Sequence, residues 1–157
     1  MLFRSWRDAA KPGHHYAGTN SRMSEIDCAQ MLVKTKYIDQ WQKRRKKIAG
    51  YWIERLHNTG IRSLIDEHNA HDHAFHKFVI FTEQRDILQQ NLAIRKIETK
   101  IHYKNPLHEI GMFAQYPGPG MLATASGMCR GILSLPIYPE LTDLEVEYII
   151  DSVIDCV

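Results

Sequence analysis

One apolar stripe governs what this chain can fold into. Between residues 24 and 57, hydrophobic residues recur at Ile26, Ala29, Val33, Tyr37, Trp41, Ile48, Trp52 and Leu56. Their steps of three, four or seven keep to one face of an α-helix. Ser24 suits an N-cap, Asp27 puts a carboxylate in the first turn, and Asn58-Thr59-Gly60 is a helix stop. The period predicts one long helix within residues 24–59, roughly 33 residues and about 50 Å at 1.5 Å per residue. A small domain cannot hide so long a stripe by itself. The helix is therefore expected to bridge two domains or two subunits, with Tyr37, Trp41 and Trp52 at a helix–helix or subunit contact rather than in a ligand box.

The flanks differ in kind. Residues 1–23 are rich in Gly, Pro, His and Asn, show no period and carry no core of their own, as expected of a lead-in cut from a larger body. Residues 60–157 predict a small domain. A buried strand over 74–81 carries Phe75, Phe78, Val79, Ile80 and Phe81, and Thr82 caps a short helix with Ile87, Leu88 and Leu92. A second strand is expected over 96–103, followed by a loop broken by Pro106 and by Pro117-Gly118-Pro119-Gly120. A helix over 121–130, with Gly127 against it, leads to a strand over 132–135 that Pro136 closes. Thr142 and Glu145 form a capping box ahead of Val146, Ile149, Ile150, Val153 and Ile154. The order β-α-β, loop, α, β, α predicts an α+β fold: a long N-terminal helix, then a small domain with a short sheet and helices on one side. No internal repeat is present.

Composition narrows the partners. A net charge of +2 over 157 residues demands neither nucleic acid nor an anionic membrane. The basic run Lys43-Arg44-Arg45-Lys46-Lys47 wraps more than one helix face and lacks companion basic stretches, so it reads as a solvated face, with no nucleic acid as partner. No apolar run approaches the roughly 20 residues of a membrane span, and the N-terminal residues lack the apolar core of a signal peptide. The three cysteines, Cys28, Cys129 and Cys156, are odd in number and widely spaced, which fits reduced thiols in the cytoplasm. His68, His71, His73 and His76 invite a metal reading, and His71 and His73 would share a strand face. His76 would point elsewhere and no cysteine or well-placed carboxylate completes a tetrahedron, so no metal is expected and the cluster reads as a strand edge.

Three further segments carry more information. Gly18-Thr19-Asn20-Ser21-Arg22-Met23-Ser24-Glu25 precedes the long helix, Ile101-His102-Tyr103-Lys104-Asn105-Pro106-Leu107-His108 follows the second strand, and 132–142 reads Ile-Leu-Ser-Leu-Pro-Ile-Tyr-Pro-Glu-Leu-Thr. In wording, order and spacing they resemble the G-x-N-x-R-M-x-E turn, the H-Y-x-x-P-L-H loop and the L-S-L-P-x-x-P-x-L-T stop of the DegT/DnrJ/EryC1/StrS sugar aminotransferases. The resemblance covers essentially the whole chain. It implies the C-terminal part of a fold-type I pyridoxal-phosphate (PLP) enzyme that moves an amino group from glutamate or glutamine to a ketone on a nucleotide-linked sugar, in polysaccharide biosynthesis, and works as a homodimer with composite active sites. On that resemblance Asn20 would hydrogen-bond the PLP phosphate held by the neighbouring subunit and Arg22 would add positive charge beside it. His102, Tyr103 and His108 would line the sugar side. The chemistry suits these roles, since a phosphate needs fixed donors and cations near a helix N-terminus, and a sugar needs short-range polar groups with a flat face.

The resemblance also implies an absence. The family's Schiff-base lysine lies in its large N-terminal domain, and none of the ten lysines here matches that motif. Arg4-Ser5-Trp6-Arg7-Asp8 resembles the R-x-x-R-D segment that follows the large domain's last strands. The chain is therefore expected to contain no catalytic residue of its own, to bind no PLP alone, and to be inactive until a large domain supplies the lysine. The alternative is a self-standing oligomeric module with no transaminase role, dimerising through its long helix.

Overall fold

The computed structural model describes residues 23–65, 69–70, 72–113 and 122–156. The chain divides into two compact units, residues 1–39 and 40–157. In the first, α1 spans Glu25–Lys34; Ser24 caps it, its Oγ accepting from the Asp27 amide at 3.2 Å, and none of its residues is buried.

Where the apolar period predicts one long helix, there are two. A turn over residues 35–37 separates α1 from α2, Ile38–Arg55. The cause is local: the Thr35 hydroxyl donates to the Leu32 carbonyl at 3.0 Å, and the amides of Lys36 and Tyr37 bond three residues back, to Val33 and Lys34. A β-branched residue that bonds its own helix's carbonyls competes with the regular ladder and tightens it. Periodicity sees side-chain spacing and is blind to that exchange.

The second unit holds the core. From α2 it receives Ile48, Ala49, Trp52 and Ile53, and Leu56 follows just beyond the helix. Trp52 is fully buried; its indole N–H donates to the Val146 carbonyl at 3.0 Å and its ring meets Phe78 edge-on at 5.1 Å. A large aromatic can sit inside only when its one donor is satisfied. The basic run lies on this helix, where Arg44 donates to the Leu141 carbonyl at 2.6 Å and pairs with Asp143 at 2.7 Å.

Three antiparallel strands form the sheet in the order β1 (Arg62–Ser63), β2 (Phe78–Phe81), β3 (Ile132–Leu135). Phe78 pairs with Leu135 and Ile80 with Leu133, so these four share one face and belong to the core. The expected strand over 74–81 starts only at Phe78. Phe75 adopts φ 45°, in the left-handed region closed to strands, and buries its ring. The two-residue β1 has too few residues to show a period.

Beyond β2, the Thr82 Oγ1 accepts from the Gln84 amide, and α3 runs Arg85–Ile94 with Leu88 and Leu92 inward. It closes with Lys96 at φ 64°, the Lys96 amide bonding to Ala93 and the Ile97 amide to Leu92. That is a Schellman turn with lysine where glycine is usual. The expected strand over 96–103 is reduced to one bridge, in which Lys100 and Ser134 exchange both amide bonds at 3.2 and 2.8 Å. In antiparallel register the next partner on one side would be Pro136, which has no N–H to donate, and on the other the chain turns at His102.

After two 3₁₀ turns, Leu107–Glu109 and Gly111–Phe113, α4 (Ala123–Gly131) leads into β3. A Cβ on Gly131 would lie 2.5 Å from the Phe81 ring and 2.8 Å from the Thr82 carbonyl, so only glycine fits this approach. The last helix, α5 (Asp143–Asp155), has the expected capping box: Glu145 N–H donates to Thr142 Oγ1 at 3.2 Å, and Thr142 N–H to the Glu145 carboxylate at 2.8 Å. The fold is α+β. Among the described residues no helix is long and apolar enough to cross a membrane.

Candidate functional site

His102 sits where the segment after α3 leaves the edge of β3. Its Nδ1 lies 2.9 Å from Ser134 Oγ, and the Tyr103 ring packs edge-to-face against it at 5.6 Å. Tyr103 is 70% exposed, so its phenol is available to a ligand. A cavity of ≈ 230 Å³ opens beside His102, rimmed by His76, Lys77, Glu98, Lys100 and Ser134. Burial, then the charges of Lys77 and Lys100 and the nearby His76, hold the His102 imidazole below its ordinary pKa, so it is neutral at physiological pH.

His108 is positioned by another element. Its Nε2 lies 3.1 Å from Ser126 Oγ on α4, and the Ser126 hydroxyl donates to Glu109 at 2.6 Å. With that proton committed to Glu109, Ser126 accepts from His108 Nε2–H. The chain joins the 3₁₀ turn to α4 and fixes the His108 ring by its Nε2 side. Asn20 and Arg22 lie outside the described residues, as do His68, His71 and the Pro117–Gly120 turn. Of the other histidines in the cluster, His73 Nδ1 accepts from the Phe75 amide at 3.0 Å, fixing the turn before β2, while His76 reaches the cavity beside His102. Among the described residues no three His, Cys, Asp or Glu side chains gather as a metal site would require.

Sequence reasoning singled out His102 but missed the lysines beside it. The signal was present as alternation: Glu98, Lys100 and His102 are two apart, the period that puts side chains on one side of an extended segment. Lys77 stands two before Val79 on β2 by the same rule.

Comparison with known proteins decides the lineage. The model of the DegT/DnrJ/EryC1/StrS aminotransferase family matches residues 4–154. The chain belongs to that family. Among curated members it is 33% identical over 150 residues to the erythromycin biosynthesis sensory transduction protein EryC1 of Saccharopolyspora erythraea, covering 95% of this chain and 41% of that one. It is 32% identical over 154 residues to the dTDP-3-amino-3,4,6-trideoxy-alpha-D-glucose transaminase of Streptomyces venezuelae, covering 97% and 40%. Among solved structures, S. venezuelae DesV in complex with a ketimine intermediate superposes with a TM-score of 0.88 at 32% identity, covering 97% of this chain and 42% of that one. A DegT/DnrJ/EryC1/StrS aminotransferase from Brucella abortus gives 0.84 at 28%, covering 96% and 41%. The chain spans about two fifths of the length of these DegT/DnrJ/EryC1/StrS relatives.

Proposed function

We propose that the chain is the C-terminal, substrate-facing part of a PLP-dependent nucleotide-sugar aminotransferase whose Schiff-base lysine is carried by a large N-terminal domain. The observation that carries this reading is the family match across residues 4–154 at about two fifths of the relatives' length. The donor chemistry of the described residues agrees. A Schiff-base lysine has to be desolvated enough to shed its proton, and none of the described lysines is buried. The described part of the chain therefore does not fit covalent attachment of PLP.

What these residues fit is the ligand's other end. His102 and Tyr103 present an imidazole edge and a phenol suited to sugar hydroxyls, and His108 ties their loop to α4 through Ser126. Asn20 and Arg22 keep the phosphate-binding role implied by their match to the family's turn, acting on PLP held by the partner subunit of a homodimer. The setting is cytoplasmic.

The test is reconstitution. The chain incubated with PLP and reduced with borohydride is expected to yield no specific lysine adduct, and to aminate no keto-sugar nucleotide alone. Mixed with a lysine-bearing large domain from a family member, it should restore turnover, and Asn20→Ala and Arg22→Ala should lower it. A stoichiometric adduct at one lysine of this chain, with turnover, would sink the claim. Exposure of Ile26, Leu32 and Val33 on α1 favours one further reading, a self-associating module with no transaminase role. A concentrated sample that sediments as a monomer removes it.

A further inference from the structure

The sheet has two faces, and the main core cluster takes Phe78, Ile80, Leu133 and Leu135 from one of them. Lys77, Val79 and Phe81 alternate away from the buried Phe78 and Ile80, and Ser134 pairs with Val79 on that second face. Lys100 reaches it through its bridge to Ser134. Ser134 is the polar interruption of an otherwise apolar strand and is 5% exposed. Among the described residues, its hydroxyl makes one side-chain hydrogen bond, to His102 Nδ1. A buried O–H is costly to leave without an acceptor, more so than a lone pair without a donor. The hydroxyl therefore donates, Nδ1 accepts, and the proton of the neutral imidazole sits on Nε2.

An N–H donor thus stands at the ≈ 230 Å³ cavity, with Lys77 and Lys100 on its rim. Among the described residues Glu98 is the one carboxylate lining this cavity. Its 3.2 Å pair with Lys100 is exposed on both sides, the kind of pair that holds loosely and reopens readily. Two ammonium groups against one carboxylate leave a net positive charge around an oriented neutral donor. The geometry points to an oxyanion-binding subsite formed by Lys77, Lys100 and the Nε2–H of His102, with Ser134 as its positioning residue. An anion would draw charge-assisted hydrogen bonds from these cations and from the imidazole N–H, which a neutral sugar hydroxyl does not exploit. The source of the anion rests on the aminotransferase reading: it is the diphosphate of the nucleotide or a carboxylate borne by the sugar. The depressed proton affinity of His102 is in keeping with the same positive field.

The test is binding to the full chain, independent of turnover. Isotope-labelled protein is titrated at neutral pH with dTDP and, separately, with D-glucuronate, following the His102 ring nitrogens by NMR. A saturable shift at Nε2 is expected with one of them, and which one names the source. Lys77→Gln and Lys100→Gln should each weaken it about tenfold, the loss of one charge-assisted contact. Ser134→Ala should disturb the His102 tautomer signature and Ser134→Thr should restore it. No shift with either ligand, parental affinity in both lysine variants, or a proton found on Nδ1 in the parent overturns the proposal. Because nothing here depends on catalysis, failed reconstitution with a large domain would leave a positive binding result standing, and the reverse also holds.

Discussion

Two side chains in the second unit are at odds with their surroundings, and each makes a stability prediction. Ser152 lies in α5 at 1% exposure, and its hydroxyl has no hydrogen-bond partner among the described residues. A buried hydroxyl without a partner costs more than the methyl that would replace it. Ser152→Ala is expected to raise stability by about 1 kcal/mol, read from chemical denaturation with an unchanged m-value. Lys96 closes α3 at φ 64°, where a side chain crowds the backbone. Lys96→Gly should gain about 0.5–1 kcal/mol, the relief of the left-handed conformation less the freedom glycine adds to the unfolded chain. Both features escape a sequence reading for the same reason. Ser152 looks like any helical serine until its neighbours are known, and a lysine gives no notice of positive φ. By contrast His102 and Tyr103 were legible, because a short motif carries them whole. Lys77 and Lys100 were not, because a bridge to Ser134 and the register of β2 bring them together.

At the scale of the element, the start of α5 shows chemistry and packing agreeing. The Thr142 backbone N–H and hydroxyl donate to Glu145 and hold its carboxyl below the usual range; the hydrogen bond and charge of Arg44 do the same for Asp143. A carboxyl whose pKa is depressed on folding stabilises the fold above its unfolded pKa, about 4.3 for Glu and 3.9 for Asp. That contribution is lost as pH falls through the lower, folded value. Thr142→Ala removes the cap and should cost about 1 kcal/mol at neutral pH. Glu145→Gln should flatten the loss of stability on acidification below about pH 4, seen as a shallower dependence of Tm on pH. This helix was fully readable in advance, since cap, box and apolar period all lie within one stretch. The long helix was read less well. Its side chains obey one period through residue 57, but the Thr35 hydroxyl bonding to Leu32 leaves that period intact while ending the regular ladder. The strand expected over 96–103 was lost to a non-local cause, the missing N–H of Pro136 across the bridge.

For the whole molecule, the distribution of buried residues makes the last prediction. Among the described residues every core residue falls between Ile48 and Val153, and α1 contributes none. If that distribution sets the cooperative unit, removing residues 1–39 should leave a chain that still unfolds in one transition, with a Tm within a few degrees of the parent. Cutting further, through α2, should abolish folding. It would strip out Trp52, whose indole bond to Val146 and contact with Phe78 join helix, sheet and α5, and large-to-small changes at such a site already cost about 3–5 kcal/mol. Differential scanning calorimetry on the two truncations gives the answer directly. A shorter chain that begins at residue 40 and melts without cooperativity would mean that the first unit is required for the second to fold. A chain lacking α2 that still melts sharply would mean that the sheet, α3 and α5 form a core without Trp52.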